Sequence, residues 1–133
     1  MDVDEVVQYW VELAVADWPV VNHLFASGDY NYSLFLGHLY LEKLLKALVV
    51  KVTRQHAPRT HNLLLLAERS GLTISKGKRD ILLRVNGYSI ETRYPEQYIS
   101  GQKQYTREHC ESEIDVIRKV AQWLKSELKR ERK

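Results

Sequence analysis

Residues 1–42 contain no lysine and no arginine. Seven acids stand there, against ten acids and all twenty basic residues in 43–133. The two halves therefore present surfaces of opposite sign, and a basic face is one that can hold phosphates. The ordinary alternative for such a face is solvation alone. Cysteine is almost absent. Cys110 stands alone, which excludes an intramolecular disulfide and a cysteine zinc cluster and suits a reducing cytosol. No apolar run approaches the roughly 20 residues of a membrane span. The opening MDVDEVV lacks the basic stretch of a signal peptide. These features lead to the expectation of a soluble, cytoplasmic chain with no membrane partner. The five histidines form no HExxH, and no phosphate loop, GxGxxG or GxSxG occurs. Metal-dependent and serine-nucleophile enzymes are poorly supported.

Breakers are few. Three prolines and six glycines punctuate 133 residues, a length that fits one domain over 1–133 with its own core. Val6, Trp10, Leu13, Asp17, Val20 and Leu24 recur at helical spacing. They predict a first helix from about Asp4 to Ser27, kinked or divided at Pro19 and stopped by Gly28. Asp17 falls at the edge of that stripe. Phe35, His38, Leu41, Leu45, Leu48 and Val52 predict a second helix over about Tyr30–Arg54. Some 25 helical residues span about 37 Å and need a partner of similar length.

"PRTHNLLLLAERSG" predicts a short third helix with Thr60 as N-cap, His61 in its first turn and Gly71 at its end. A fourth helix is expected over Lys78–Tyr88, and Pro95 and Gly101 place 92–103 in a turn or irregular segment. Cys110, Ile114, Ile117, Ala121, Leu124 and Leu128 predict the last helix, capped by Thr106, with 127–133 a frayed basic tail. No confident strand appears. The fold class is all-α: an up-and-down antiparallel helical bundle of four to five helices.

Several residues carry possible chemistry. His38 lies on the stripe of the second helix with Glu42 four positions on, and such a histidine is most often a satisfied interior residue. A Glu42–Lys46 pair reads as helix support. Tyr88, Tyr94, Tyr98 and Tyr105 fall in one short region, where they can stack on bases but more often pack at bundle ends or dimer contacts.

The series "YWVELAVADW", "GDYNYSLFLGHLYLEKLLKALVVK", "APRTHNLLLLAERSG", "ETRYPE" and "CESEIDVIRKVAQWLKSEL" resembles the HEPN domain, a nucleotide-binding helical domain of prokaryotes and eukaryotes. The resemblance covers nearly the whole chain, with EKLLKAL, THNLLLL and TRYP its most specific parts. It implies a bundle of four to five helices, often a homodimer, and often paired with a minimal nucleotidyltransferase as a toxin–antitoxin system. Active toxins of the family are metal-independent ribonucleases and need no cofactor. Their motif is an arginine followed, after four to six residues, by a histidine, and two such motifs meet across the dimer. Arginine can neutralise the scissile phosphate, and histidine can shuttle the proton of the 2′-hydroxyl.

Arg93 matches the family arginine, but the positions where the histidine belongs hold Tyr98, Ile99 and Ser100. Arg54 and His61 satisfy the spacing formally, at about the frequency chance supplies. The resemblance thus points to a nucleotide- or RNA-binding or partner-binding protein with a degenerate nuclease motif. Arg93, Tyr94, Tyr98, Lys76, Lys78, Arg79 and Arg84 are its candidate binding residues. The alternative is an active ribonuclease in which Arg93 works with a displaced histidine, His38 or His109, Tyr98 being the other candidate at the motif. A bundle that only dimerises and docks a transferase is the third reading.

Overall fold

The computed structural model describes residues 1–93 and 105–131. Five helices follow one another: α1 Val3–Ala26, α2 Tyr30–Thr53, α3 Leu63–Arg69, α4 Lys76–Arg93 and α5 Arg107–Lys129. No strand occurs among the described residues. The all-α bundle expected from periodicity is what the chain forms.

α1 and α2 have 24 residues each and make an antiparallel hairpin. Asp2 caps α1 in a capping box with Glu5, which satisfies amides that the helix start leaves open. Pro19 does not divide α1 into two helices. Proline has no N–H for the carbonyl of Val15, but Val15 and Pro19 are both exposed, so water can take the place of the missing bond. The hairpin turns at Gly28, whose φ of 84° favours a residue without a Cβ. α2 ends at Arg54, which adopts a left-handed φ of 61° and donates its amide to the Val50 carbonyl.

α2 is the centre of the bundle. It packs against all four other helices, whereas α1 reaches little besides α2. The periodicity predicts a single apolar stripe for α2. Instead fourteen of its residues are buried on all sides, including Leu34, Leu41, Leu44, Leu45 and Leu48, the pattern of a helix enclosed by its neighbours. Gly37 permits a close approach of α2 to α5. A Cβ there would lie 2.8 Å from Cδ1 of Ile117 on α5.

Two boundaries depart from the sequence expectation. α3 begins two residues later than Thr60 would place it. Asn62 is the N-cap, its side chain accepting from the amides of Leu64 and Leu65, and His61 therefore precedes the helix. α4 is longer than Lys78–Tyr88 at both ends. Thr92 and Arg93 close its last turn and do not belong to an irregular segment. Leu82, Val85 and Tyr88 are buried, and this packing holds a helix whose own apolar signal is weak. α5 starts as expected, with Thr106 accepting from the His109 amide, but its helix runs to Lys129 and so takes in the first three residues of the stretch 127–133 expected to fray.

Candidate functional site: a polar cluster where α2, α3 and α4 meet

Glu42 occupies the middle of α2 with its side chain 6% exposed. Its two oxygens face opposite ways. Oε1 lies 2.9 Å from His61 Nδ1, and Oε2 accepts from Lys46 Nζ at 3.0 Å. His61 comes from the connector before α3 and remains half exposed. Arg93 closes the cluster from the end of α4. Its Nε donates to Ser89 Oγ at 2.9 Å, its Nη2 lies 3.3 Å from His61 Nδ1, and its guanidinium stands over the Phe35 ring. Among the described residues Arg93 has no carboxylate partner.

The geometry assigns the tautomer. An arginine N–H and an imidazole N–H cannot both point at each other, and the shorter contact is to Glu42. Nδ1–H of His61 therefore donates to Glu42, which leaves Nε2 as a free acceptor. A cleft of about 180 Å³ adjoins, lined by His61, Asn62, Asn86, Ser89 and Ile90. Asn86 ties its walls together, accepting from the Leu63 amide at 2.9 Å and donating to Asn62 at 3.0 Å. Arrayed at the edge of this cleft are a cation without a counter-ion among the described residues and an imidazole oriented by a carboxylate. Such a pair can hold an anion and move a proton at its edge.

His38 lies beneath the cluster, fully buried. Its Nε2 is 2.8 Å from the His61 carbonyl, while its Nδ1 has no hydrogen-bond partner and sits 3.8 Å from Glu42. Burial pushes the His38 pKa below its ordinary value, against the pull of Glu42 and the His61 carbonyl. A neutral ring with Nε2–H donating satisfies these contacts.

A second polar cluster joins the other flank of α4 to α5. Glu113, 6% exposed, accepts from Arg84 Nε at 2.7 Å and Nη2 at 2.9 Å and from the Tyr88 hydroxyl. His109 lies 2.9 Å from the same hydroxyl and stacks on Tyr105, which in turn donates to Glu91. Burial and the bond to Glu113 raise the Tyr88 pKa far above that of a free phenol. These groups satisfy one another and leave little for a ligand.

The sequence model of the HEPN domain matches residues 7–128. The chain belongs to the HEPN domain family. Among solved structures, TT1696 from Thermus thermophilus is similar to this HEPN chain at a TM-score of 0.78 and 22% identity, over 91% of this chain and 97% of that one. At that identity the likeness is one of fold. No curated protein matches.

Within the HEPN bundle the candidate binding residues do not form one surface. Lys76, Lys78 and Arg79 begin α4 and Arg93 ends it, about 25 Å away along the helix. Lys78 stands 4.2 Å from the Trp123 ring and Arg79 faces Glu68. Arg84 is engaged by Glu113. They therefore do not line the approach to Arg93, as their closeness in sequence suggested. Tyr94 and Tyr98 lie outside the described residues.

Of the two histidines proposed to reach Arg93, His38 is sealed in the interior and His109 is on the opposite flank of α4. The imidazole that meets Arg93 is that of His61, to which the sequence assigns a helix turn and a formal motif spacing with Arg54 at about chance frequency. Its signal was the THN triplet of the connector, and Glu42 carried only its spacing to His38 and the pair with Lys46, which the structure contains. No group of three or more metal-ligating side chains gathers among the described residues, and no described helix is long and apolar enough to cross a membrane.

Proposed function

We propose that this HEPN protein binds the phosphate of a nucleotide or of an RNA strand at the cleft between α3 and α4, with Arg93 as the anion anchor. The observation that carries the reading is the Arg93 guanidinium, held by Ser89 beside His61 at the edge of that cleft with no carboxylate partner among the described residues. The larger cleft of about 640 Å³ between α1 and α5 is a poor rival, because Glu108, Glu111 and Asp115 face it with Arg118 as the one cation. In this reading the protein is a homodimer and the HEPN member of a nucleotidyltransferase pair of toxin–antitoxin type. Its acidic α1 is then a surface available to the transferase.

Titration of labelled RNA and of ATP tests the binding. Wild type is expected to bind, Arg93→Ala to lose about tenfold or more, and Arg93→Lys to retain part. Equal binding by wild type and Arg93→Ala refutes the assignment. A second reading, metal-independent RNA cleavage, is favoured by the Glu42–His61 contact, which leaves Nε2 of His61 free to take a proton. Incubation with RNA in chelator separates the two. Cleavage lost in both His61→Ala and Arg93→Ala establishes the ribonuclease, and intact RNA at high protein concentration leaves binding alone.

A further inference from the structure

Oε2 of Glu42 faces away from His61 toward a second cleft, of about 510 Å³, lined by Trp10, Lys46, His56, Ala57, Pro58 and Arg59. No acidic residue is among those six. Lys46 forms its floor, its ammonium between the Glu42 carboxylate and the Trp10 ring, 5.3 Å from the ring centroid. His56 and Arg59 are exposed at its rim, and neither has a partner among the described residues.

An indole on one wall, a rigid proline on another and, at the rim, an arginine without a carboxylate partner among the described residues are what a nucleobase and its phosphate require together. Flat aromatic surface takes any base, and cationic side chains track the backbone. The volume falls in the range of small-ligand sites. The acidic α1–α5 cleft offers Trp18 as its aromatic, but its charge opposes a phosphate.

We propose that this cleft is a nucleoside subsite continuous with the Arg93 cleft, so that the preferred ligand is a single strand of at least two nucleotides. This rests on the phosphate-binding reading above. One phosphate sits at Arg93 and His61. The strand then crosses the Glu42 partition along the connector 54–62, and the adjoining nucleotide stacks on Trp10 with its phosphate toward Arg59 and His56. Proximity is what the structure supplies. Glu42 bonds a lining residue of each cleft, His61 of one and Lys46 of the other, and the connector carries Arg59 and His61 two positions apart.

Calorimetric titration with AMP and with a 2′-O-methyl adenosine tetranucleotide, which resists cleavage, tests the proposal. The tetranucleotide is expected to bind about tenfold or more tightly than AMP. Arg59→Ala and Trp10→Leu should bring it down to the AMP level while AMP affinity stays put, and Trp10→Phe should keep most of the gain. Arg59 is an exposed rim residue, so its variant reports even where Trp10→Leu weakens the fold. Equal affinity for the two ligands, or a tetranucleotide unmoved by Arg59→Ala and Trp10→Leu, overturns the subsite while Arg93-dependent AMP binding keeps the parent reading. Absence of binding, or binding indifferent to Arg93→Ala, removes both.

Discussion

Replacing Glu113 with glutamine keeps the shape of the side chain and removes its charge. In the wild type this carboxylate is 6% exposed and accepts from three donors, two on Arg84 and one on Tyr88. Hydrogen bonds to a charged group contribute about 1.5–3 kcal/mol each, and breaking a buried pair costs about 3–5 kcal/mol. Both figures need reduction here. The Arg84 side chain is 46% exposed, so water replaces much of what it loses. Tyr88 keeps His109 as a second partner. The new amide still presents one oxygen, but its NH2 faces donors. A loss of about 2 kcal/mol at pH 7 is expected, or a fall in Tm of about 6–10 °C.

The pH dependence follows from the Glu113 pKa. Burial raises it, but the hydrogen bonds from Arg84 and Tyr88 and the Arg84 charge outweigh burial, and the net shift is downward from 4.5. A carboxyl depressed on folding contributes stability that is present above its unfolded value and lost as pH falls through the folded one. The gap between wild type and Glu113→Gln should therefore be constant from pH 6 to 8 and shrink below about 4.5. Urea unfolding followed by circular dichroism across this range measures it. A gap under about 0.5 kcal/mol at pH 7, or one that does not narrow in acid, refutes the reasoning.

Three further outcomes are expected. Burial depresses the His38 pKa from 6.5, so its contribution is present above that value and lost as pH falls toward the folded pKa. Stability of wild type should therefore decline between pH 7 and 5 more steeply than that of His38→Asn in the same urea titrations. Asn62→Ala removes the acceptor for the Leu64 and Leu65 amides and should cost about 1–2 kcal/mol, with Thr60→Ala costing less than half as much. Pro19→Ala supplies the amide that the Val15 carbonyl lacks in the exposed middle of α1 and should raise Tm by a few degrees in a calorimetric scan.

What the sequence made legible was local. Helical spacing with Thr106 at one end and Gly28 between two stripes located α1, α2 and α5, because caps and apolar periodicity act within a few residues. The end of α4 was not legible. Gly87 and the proline after Tyr94 argue for an early stop, and only burial of Leu82, Val85 and Tyr88 against the bundle carries the helix to Arg93. The choice between Thr60 and Asn62 as cap was tertiary too, since Asn86, 24 residues on, donates to Asn62 and accepts from Leu63. At the candidate site, Arg93 was visible through a resemblance and His61 was not. What gives His61 a role is its contact with Glu42, 19 residues earlier, and Arg93, 32 residues later. The basic residues at the start of α4 mislead for the opposite reason. They are near Arg93 in sequence, and a straight helix carries them away from it.

The dependence of α1 on α2 sets how this molecule comes apart. Only Ala14 and Val21 of α1 are fully buried, while Tyr9, Val15 and Val20 remain substantially exposed. The remaining four helices share α2 as a common centre, and α3, α4 and α5 can keep most of their contacts with it if α1 swings off. α1 is thus held through one long helix–helix interface, and it is a unit that can detach while the rest keeps its common centre. Because Trp10 and the acidic residues Asp4, Glu5, Glu12 and Asp17 travel with it, that opening would dismantle the Trp10 wall and leave Glu42, His61 and Arg93 in place.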